Sequence, residues 1–103
     1  MKVMLTSRQR AQLRALANGI DTILHVGKGG ITENVVAQCN SALEARELIK
    51  GRVLENALMS AREAAEELAR LTRAETVCTI GSRFVLYRES QNLPREKRIR
   101  LVD

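Results

Sequence analysis

The stretch that decides the fold is Thr22–Glu33, whose sequence is TILHVGKGGITE. Its first five residues are mostly apolar and favour β structure, which predicts a short strand ending at Val26. The glycine-rich residues 27–30 interrupt this strand. Thr32 is then a favourable helix cap, and Glu33 stands in the first turn, where the positive end of a helix favours an acid. The stretch therefore predicts a strand, a glycine loop and a helix N-terminus in direct succession.

The segments on either side continue this alternation of strands and helices. Thr6-Ser7-Arg8-Gln9 fits a capping box and predicts a first helix from Thr6, which Asn18-Gly19 ends. Gly81-Ser82 separates two β-rich runs and predicts a two-residue hairpin turn with positive φ at the glycine. The remaining predicted elements are a second helix at 33–46, a second strand at 47–54, a third helix at 56–73, and hairpin strands at 77–80 and 83–88.

The order of these elements is helix, strand, helix, strand, helix, strand, strand. Strand–helix–strand units favour right-handed crossovers and parallel pairing, whereas the terminal hairpin adds antiparallel pairing. We therefore predict an α/β fold, a single domain with a four-stranded mixed sheet and three helices packed on it. We assign residues 1–92 to this domain and residues 93–103 to an exposed basic tail, in which Ile99 and Leu101 are able to pack.

The alternation along the second predicted strand separates two kinds of side chain. Residues 49, 51 and 53 point one way, and Lys50 and Arg52 point the other way, so one face of the strand carries cations. In the third helix, we expect Glu63, Glu66 and Glu67 on the solvent side. The buried stripe of that helix is predicted to consist of Leu58, Ala61, Ala65, Leu68 and Thr72.

The charge balance is basic, with 17 Lys and Arg residues against 12 Asp and Glu residues, a net charge of +5 and a pI near 9.9. The excess lies towards both ends of the chain, a distribution typical of proteins that bind polyanions. We find no signal-peptide pattern and no apolar run long enough to span a membrane, and expect a soluble cytoplasmic protein. Cys39 and Cys78 have no metal-ligand spacing and are expected to act as small apolar residues.

The loop GKGG at 27–30 has the chemistry of a phosphate site. Glycines let backbone N–H groups approach an anion, the helix end adds partial positive charge, and Lys28 adds a full one. The alternative is a plain tight turn that needs positive φ. The spacing fits neither the Walker loop nor the dinucleotide fingerprint. It is similar to the Gly-x-x-Gly clamp of KH domains, which holds a short run of nucleotides.

Catalytic and metal-binding patterns are missing from the sequence. His25 is the only histidine, and we expect it to be packed or hydrogen-bonded rather than a catalytic base, close enough to the loop for a supporting RNA contact. Glu44 and Glu47 are expected to pair with Arg46 and Lys50, which are nearby in the sequence, and not to act as an acid–base pair. Tyr87 is expected in the core or an edge strand rather than stacked on a base. We therefore predict no enzyme activity, no cofactor and no metal.

Several segments together resemble one family. They are Leu5-Thr6 before a basic helix, Val26–Glu33, Ala42–Lys50 and Ile80–Arg88, in this order along nearly the whole chain. These segments are similar to the YhbY family, the stand-alone bacterial CRM domains, named for chloroplast RNA splicing and ribosome maturation. The resemblance implies a fold like the C-terminal domain of translation initiation factor three. It also implies RNA binding without catalysis and association with precursors of the large ribosomal subunit.

The same resemblance places the family's Gly-x-x-Gly loop on residues 27–30 and its basic strand on Lys50 and Arg52. One departure is Gly51, where the family usually has valine. A glycine inside a strand indicates a bulge or a close approach of another group to the backbone.

The sequence as a whole therefore predicts an RNA-binding protein that assists assembly of the large ribosomal subunit, with ribosomal RNA as its partner, no membrane and no small-molecule substrate. One alternative is a protein-interaction module that docks on the ribosome through its acidic third helix. Another is a small-molecule phosphate binder or enzyme. The predicted RNA contacts are Gly27, Lys28, Gly29, Gly30, Arg8, Arg10, Arg14, Arg46, Lys50 and Arg52.

Overall fold

The computed structural model describes residues 5–103 and has the predicted element order. The helices are α1 (Ser7–Ala17), α2 (Glu33–Arg46) and α3 (Ala61–Thr72). The strands are β1 (Thr22–Val26), β2 (Leu48–Val53), β3 (Glu75–Ile80) and β4 (Arg83–Tyr87), and a short 3₁₀ helix follows at Arg95–Lys97.

Side-chain caps determine where the helices begin. The predicted capping box at α1 is confirmed, because Gln9 N donates to Thr6 Oγ1 (3.1 Å) and Thr6 N donates to Gln9 Oε1 (3.0 Å). Thr32 caps α2 as predicted, accepting from Val35 N at 3.2 Å. These contacts satisfy helix N–H groups that have no partner within the helix.

The predicted start of α3 at Asn56 is wrong. Ser60 and Glu63 form a second capping box, with distances of 2.9 and 3.1 Å, so the helix begins at Ala61. Residues 54–60 are a loop, and Leu58 is 94% exposed instead of lying in the buried stripe. The other four members of the predicted stripe are buried.

The sheet is mixed and four-stranded, in the order β1-β2-β4-β3. β1 pairs with β2 in parallel, and β4 pairs antiparallel with both β2 and β3. The β3–β4 turn contains Gly81 at a φ of +60°, as the sequence predicts. The last strand of the chain is therefore a central strand, flanked by β2 and β3.

Helices cover the two faces of the sheet unequally. α2 and α3 cover one face, where residues such as Leu24, Ile49 and Leu86 form the larger core cluster. α1 packs on part of the other face, against Leu48, Val85 and other apolar residues of a smaller cluster. The predicted alternation of β2 is confirmed, because Ile49 and Val53 lie in the larger core, on the face opposite to Lys50 and Arg52.

Gly51 meets another side chain at close range, as its place inside a strand predicts. A Cβ atom built on Gly51 would lie 2.2 Å from Phe84 Cζ, well inside van der Waals contact. Gly51 and Phe84 are partners in the β2–β4 register, and Phe84 is only 1% exposed. The ring therefore occupies the space that a larger side chain at position 51 would need.

Glu47 and Glu44 have partners far away in the sequence, so their predicted pairing with Arg46 and Lys50 is wrong. Glu47 is fully buried at the end of α2, and its carboxylate accepts from Ser90 N (2.7 Å) and Ile99 N (2.6 Å). Glu44 forms an ion pair with Arg88 at 3.0 Å. Both glutamates thus connect α2 to residues that follow β4.

The C-terminal residues continue from Glu47 along α1. Gln9 Nε2 donates to Val102 O (2.9 Å) and Gln12 Nε2 donates to Arg100 O (2.8 Å). Ile99 and Leu101 pack against the smaller core cluster, while Pro94–Lys97 is exposed. The end of the predicted tail is therefore attached to the folded domain.

We expect the substitution Gly51→Ala to destabilise the protein by about 1–3 kcal/mol, because the new methyl group overpacks against the Phe84 ring. The midpoint and slope of urea unfolding measure this change. The double variant Gly51→Ala/Phe84→Leu, which shortens the opposing side chain, should recover part of the loss. Equal unfolding midpoints for Gly51→Ala and the wild type would contradict the packing argument.

We expect Glu47→Gln to lower the free energy of unfolding by about 1–3 kcal/mol, because a glutamine has one acceptor oxygen for two buried backbone N–H groups. The matched control is Glu89→Gln, at an exposed position close to the end of β4. Hydrogen exchange at the Ile99 amide should rise in Glu47→Gln and stay unchanged in the control. Unaltered exchange in both variants would refute a role for Glu47 in holding the tail.

Candidate nucleic-acid interface

The glycine loop is a tight turn at the end of β1. Gly30 N donates to Gly27 O at 3.0 Å, which places Lys28 and Gly29 at the centre of the turn. Gly30 has a φ of +70°, a conformation that favours glycine. The tight-turn alternative therefore describes the backbone correctly, and it leaves the exposed Lys28 side chain at the tip of the loop.

The loop before α3 supports the glycine loop from one side. Leu54 N donates to Val26 O at 2.8 Å, directly before the turn. A Cβ atom at Gly27 would meet Leu54 at 3.6 Å, and one at Gly30 would meet Met59 at 3.7 Å. The turn therefore lies close to residues 54–59.

The N-terminus of α2 follows the turn. Its peptide dipoles place partial positive charge there, which supports binding of an anion beside Lys28. Thr32 already satisfies the Val35 N–H, and Glu33 adds a negative charge in the first turn. The full positive charge at this end of the helix therefore comes from the Lys28 side chain.

A row of basic side chains crosses the sheet beside the loop. His25 of β1 is in register with Arg52 of β2, and Arg52 is in register with Arg83 of β4. Residues paired in register point to the same face of a sheet, and all three are exposed. Lys50, two residues before Arg52, lies on this face as well.

His25 is thus exposed, and the expectation that it is packed or hydrogen-bonded is wrong. Leu24 and Val26 point into the larger core, so His25 points to the opposite face. α1 packs on Leu48, Val85 and Tyr87 of that face and leaves the position of His25 open.

Arg83 belongs to the candidate site although its place there was not predicted from the sequence. The signal was available, because Arg83, Val85 and Tyr87 alternate along β4 and therefore share one face. What the sequence did not show is that β4 lies next to β2. That pairing brings Arg83 beside Arg52.

The predicted arginines of α1 have three different environments. Arg14 is exposed and lines a pocket together with Lys50 and Arg83, so the structure brings these cations together. Arg10 is half-buried and donates from Nη1 to Thr76 O of the edge strand β3 at 2.7 Å. Arg8 is exposed on α1.

Arg46 lies apart from the other predicted contacts. It is exposed at the end of α2, where it borders a separate groove with Ile20 and Asp21. Arg46 precedes β2 whereas Arg52 lies near its end, and six residues of extended chain span about 20 Å. The structure therefore does not bring Arg46 to the glycine loop.

The two aromatic side chains of the protein, Phe84 and Tyr87, are both buried. Burial raises the pKa of Tyr87, and together with the nearby carboxylates of Glu47 and Glu89 it brings the value to about 12. The expectation that Tyr87 has a structural place is confirmed, and neither ring is positioned to stack on a base.

Within 5–103, no group of three or more His, Cys, Asp or Glu side chains is arranged to hold a metal ion. None of the helices in the described part of the chain combines the length and the apolar character that a membrane crossing needs.

We define the basic face as Arg14, Lys50, Arg52 and Arg83 together with His25. β1 and β2 run in parallel, and Val26 is in register with Val53. Arg52 and the glycine loop therefore lie at the same end of the sheet. The basic face and Lys28 form one surface with a capacity for several phosphate contacts.

Comparisons with known proteins agree with this architecture. The chain is 46% identical over 88 residues to the probable RNA-binding protein YqeI of Bacillus subtilis, covering 85% of this chain and 92% of that protein. It is 34% identical over 96 residues to an RNA-binding protein of Haemophilus influenzae, covering 89% and 97% of the two chains. The solution structure of the hypothetical protein SAV1595 from Staphylococcus aureus superposes with a TM-score of 0.77 at 47% identity, covering 96% of this chain and all of that one.

A family model matches residues 5–88, from the cap region of α1 to the residue after β4. This match contains the glycine loop, the basic face and all four strands. The chain belongs to the CRS1/YhbY (CRM) domain family.

Proposed function

We propose that this chain binds RNA through the glycine loop and the basic face, and that its target is ribosomal RNA in precursors of the large ribosomal subunit. The observation that carries the proposal is the register His25–Arg52–Arg83, which aligns basic side chains across three strands at the end of the sheet where Lys28 projects. Curated relatives named as RNA-binding proteins support the RNA part. The resemblance to the YhbY family supports the ribosomal part.

The mode of binding follows from the chemistry of these side chains. Arginine and lysine neutralise backbone phosphates, and such contacts position RNA without reading its sequence. The glycine loop adds backbone N–H groups close to Lys28, which suits a phosphate oxygen. The shape of the RNA and its single-stranded segments then contribute the selectivity, as is usual for RNA recognition.

The proposed role is binding without catalysis. His25, the single histidine, has Arg52 as its register partner and no carboxylate or hydroxyl nucleophile in that row. A general base needs such a partner to orient it and a nucleophile within hydrogen-bonding reach. The cationic Arg52 beside His25 fits a phosphate contact better.

Docking through the acidic side of α3 has less support. Glu63 accepts from Ser60 N in the capping box. Glu66 forms an ion pair with Arg62, and Glu67 forms one with Arg70. Since all three glutamates have partners on or beside their own helix, α3 does not present an unbalanced acidic patch.

We expect Lys28→Glu to weaken RNA binding roughly tenfold at moderate salt, because it places a negative charge at the tip of the loop. Lys97→Glu is the matched control, since it makes the same change at an exposed position in the 3₁₀ helix. That helix adjoins Ile99, which contacts Glu47 before β2, at the end of the sheet opposite to the loop. Fluorescence anisotropy with ribosomal RNA fragments measures both variants.

The same two variants test the ribosomal part in cells. Sedimentation should show the Lys97→Glu protein with large-subunit precursors and the Lys28→Glu protein at the top of the gradient. If Lys28→Glu sediments like the wild type, the loop is not the contact with the particle. Crosslinking followed by sequencing of the attached RNA then identifies the target, and a target outside ribosomal RNA would refute the ribosomal part alone.

The salt dependence of binding separates Arg52 from Arg46. The logarithm of the binding constant should fall with the logarithm of salt concentration, with a slope of about 0.7 for each single-strand phosphate that is neutralised. We expect Arg52→Ala to reduce this slope by about 0.7, and Arg46→Ala to leave it unchanged because Arg46 lies outside the basic face. Equal slopes for the two variants would contradict the proposed extent of the interface.

A further inference from the structure

A small pocket opens between the end of α1 and the part of the sheet that α1 leaves uncovered. Its volume is about 130 Å³. Arg14 and Asn18 line it from α1, and Lys50 of β2 and Arg83 of β4 line it from the sheet. The pocket therefore lies within the basic face.

The charged lining of the pocket is entirely cationic. Arg14, Lys50 and Arg83 contribute their side chains, and no acidic residue among 5–103 lines the pocket. Within the described part of the chain, none of these three cations forms an ion pair. Arg62, Arg70 and Arg88, by contrast, are each paired with a glutamate. Their charge is therefore available to a ligand.

The pocket also has an apolar wall, which a phosphate site does not need. Val85 is buried, Cys78 is half-buried, and Ile80 is 66% exposed although it is a large apolar residue. Burial raises the pKa of the Cys78 thiol even though Arg14 and Lys50 oppose the shift, so the thiol is neutral and behaves as an apolar surface. A ligand that suits the pocket thus has an apolar face and a polar edge.

The size of the pocket restricts this ligand further. Sites for free small molecules have volumes of roughly 300–1,000 Å³, well above the volume found here. A pocket of about 130 Å³ admits a ring system and leaves the rest of the ligand outside. One base of an RNA strand meets this description, with its phosphates on the surrounding cations.

We infer that this pocket receives one unpaired base of the bound RNA, and that it favours a base with carbonyl acceptors, guanine or uracil. The inference rests on the proposed RNA-binding function and names the class of RNA recognised there. Arg14, Lys50 and Arg83 offer only hydrogen-bond donors, which match the O6 and N7 atoms of guanine or the carbonyl oxygens of uracil. The amino groups of adenine and cytosine find fewer acceptors in this lining.

Ile80 and the arginine side chains replace an aromatic platform. Single-stranded RNA is usually held by stacking bases on aromatic rings, and the two rings of this protein are buried. An arginine guanidinium is planar and stacks on a base, and Ile80 offers an apolar contact at the opening of the pocket.

The test uses the full chain and three fluorescein-labelled RNAs of equal length: oligouridine, oligoadenosine and a duplex. Wild-type protein should bind oligouridine more tightly than oligoadenosine in anisotropy titrations. Asn18→Leu fills the pocket from an exposed helix end without changing charge, and Cys78→Leu fills it from the wall. Both should weaken oligouridine binding about tenfold and leave duplex binding and the salt slope unchanged. Gln38→Leu, at an exposed position on α2, is the control for adding an apolar side chain.

A second measurement needs no variant. Cys39 is fully buried, so N-ethylmaleimide reacts with the native protein at Cys78. Oligouridine should slow this reaction in proportion to the bound fraction, and the duplex should not.

The possible outcomes distinguish a failure of the pocket hypothesis from a failure of the proposed RNA binding. Absence of binding to all three RNAs by the wild type would refute RNA binding itself. Normal binding of oligouridine by both filled variants, with no protection of Cys78, would overturn the pocket while RNA binding stands. An equal loss of oligouridine and duplex binding in the filled variants would also overturn it, because the pocket would then be a general phosphate site.

Discussion

The contact between the Phe84 ring and the Gly51 backbone is the constraint on which the rest of the structure depends. A Cβ atom at position 51 would lie 2.2 Å from the ring, so Phe84 takes this position against the β2 backbone only with glycine in that place. The contact fits the observed register, in which Gly51 faces Phe84, and a slip by one residue would turn every side chain to the other face. In this register, Arg52 lies beside Arg83, and the basic row continues to His25. Packing in the core is thus linked to which basic side chains are neighbours on the surface.

The helices cover the two faces of the sheet unequally, and this leaves the basic side chains accessible to a ligand. α1 is the only helix on the basic side within the described residues, and it packs on one part of that face. Glu47 holds Ile99 next to β2, and Gln9 and Gln12 hold the following residues along α1. The tail therefore occupies a flank of α1, whereas Arg14 lies towards the open part of the sheet. Because only one short helix and the tail cover this side of the sheet, part of the face stays exposed with its cations. A second covering helix would bury them.

Features that depend on local sequence were predictable, and features that depend on tertiary pairing were not. The caps of α1 and α2, the hairpin turn at Gly81 and the alternation of β2 follow from neighbouring residues, and the structure confirms them. The start of α3 had a local signal too, because Ser60 and Glu63 have capping-box spacing, but the apolar Leu58 favoured an earlier start. His25 and Arg83 could not be placed without knowing which part of the sheet α1 covers and that β4 lies beside β2. The partners of Glu47 are more than forty residues away in the chain.

The central position of β4 has a consequence for synthesis of the protein. β1 and β2 can pair as soon as they leave the ribosome, but β3 has no partner until β4 is complete, since β4 joins both halves of the sheet. Phe84, Val85 and Leu86 also complete both core clusters, so a nascent chain that stops before residue 83 lacks the centre of its core. Folding of the sheet is therefore completed only after translation of β4, and its dependence on non-local contacts makes it slow. A translation product that stops before β4 would contain the GKGG sequence but would lack Arg83, so the basic face is complete only once β4 has been added to the sheet.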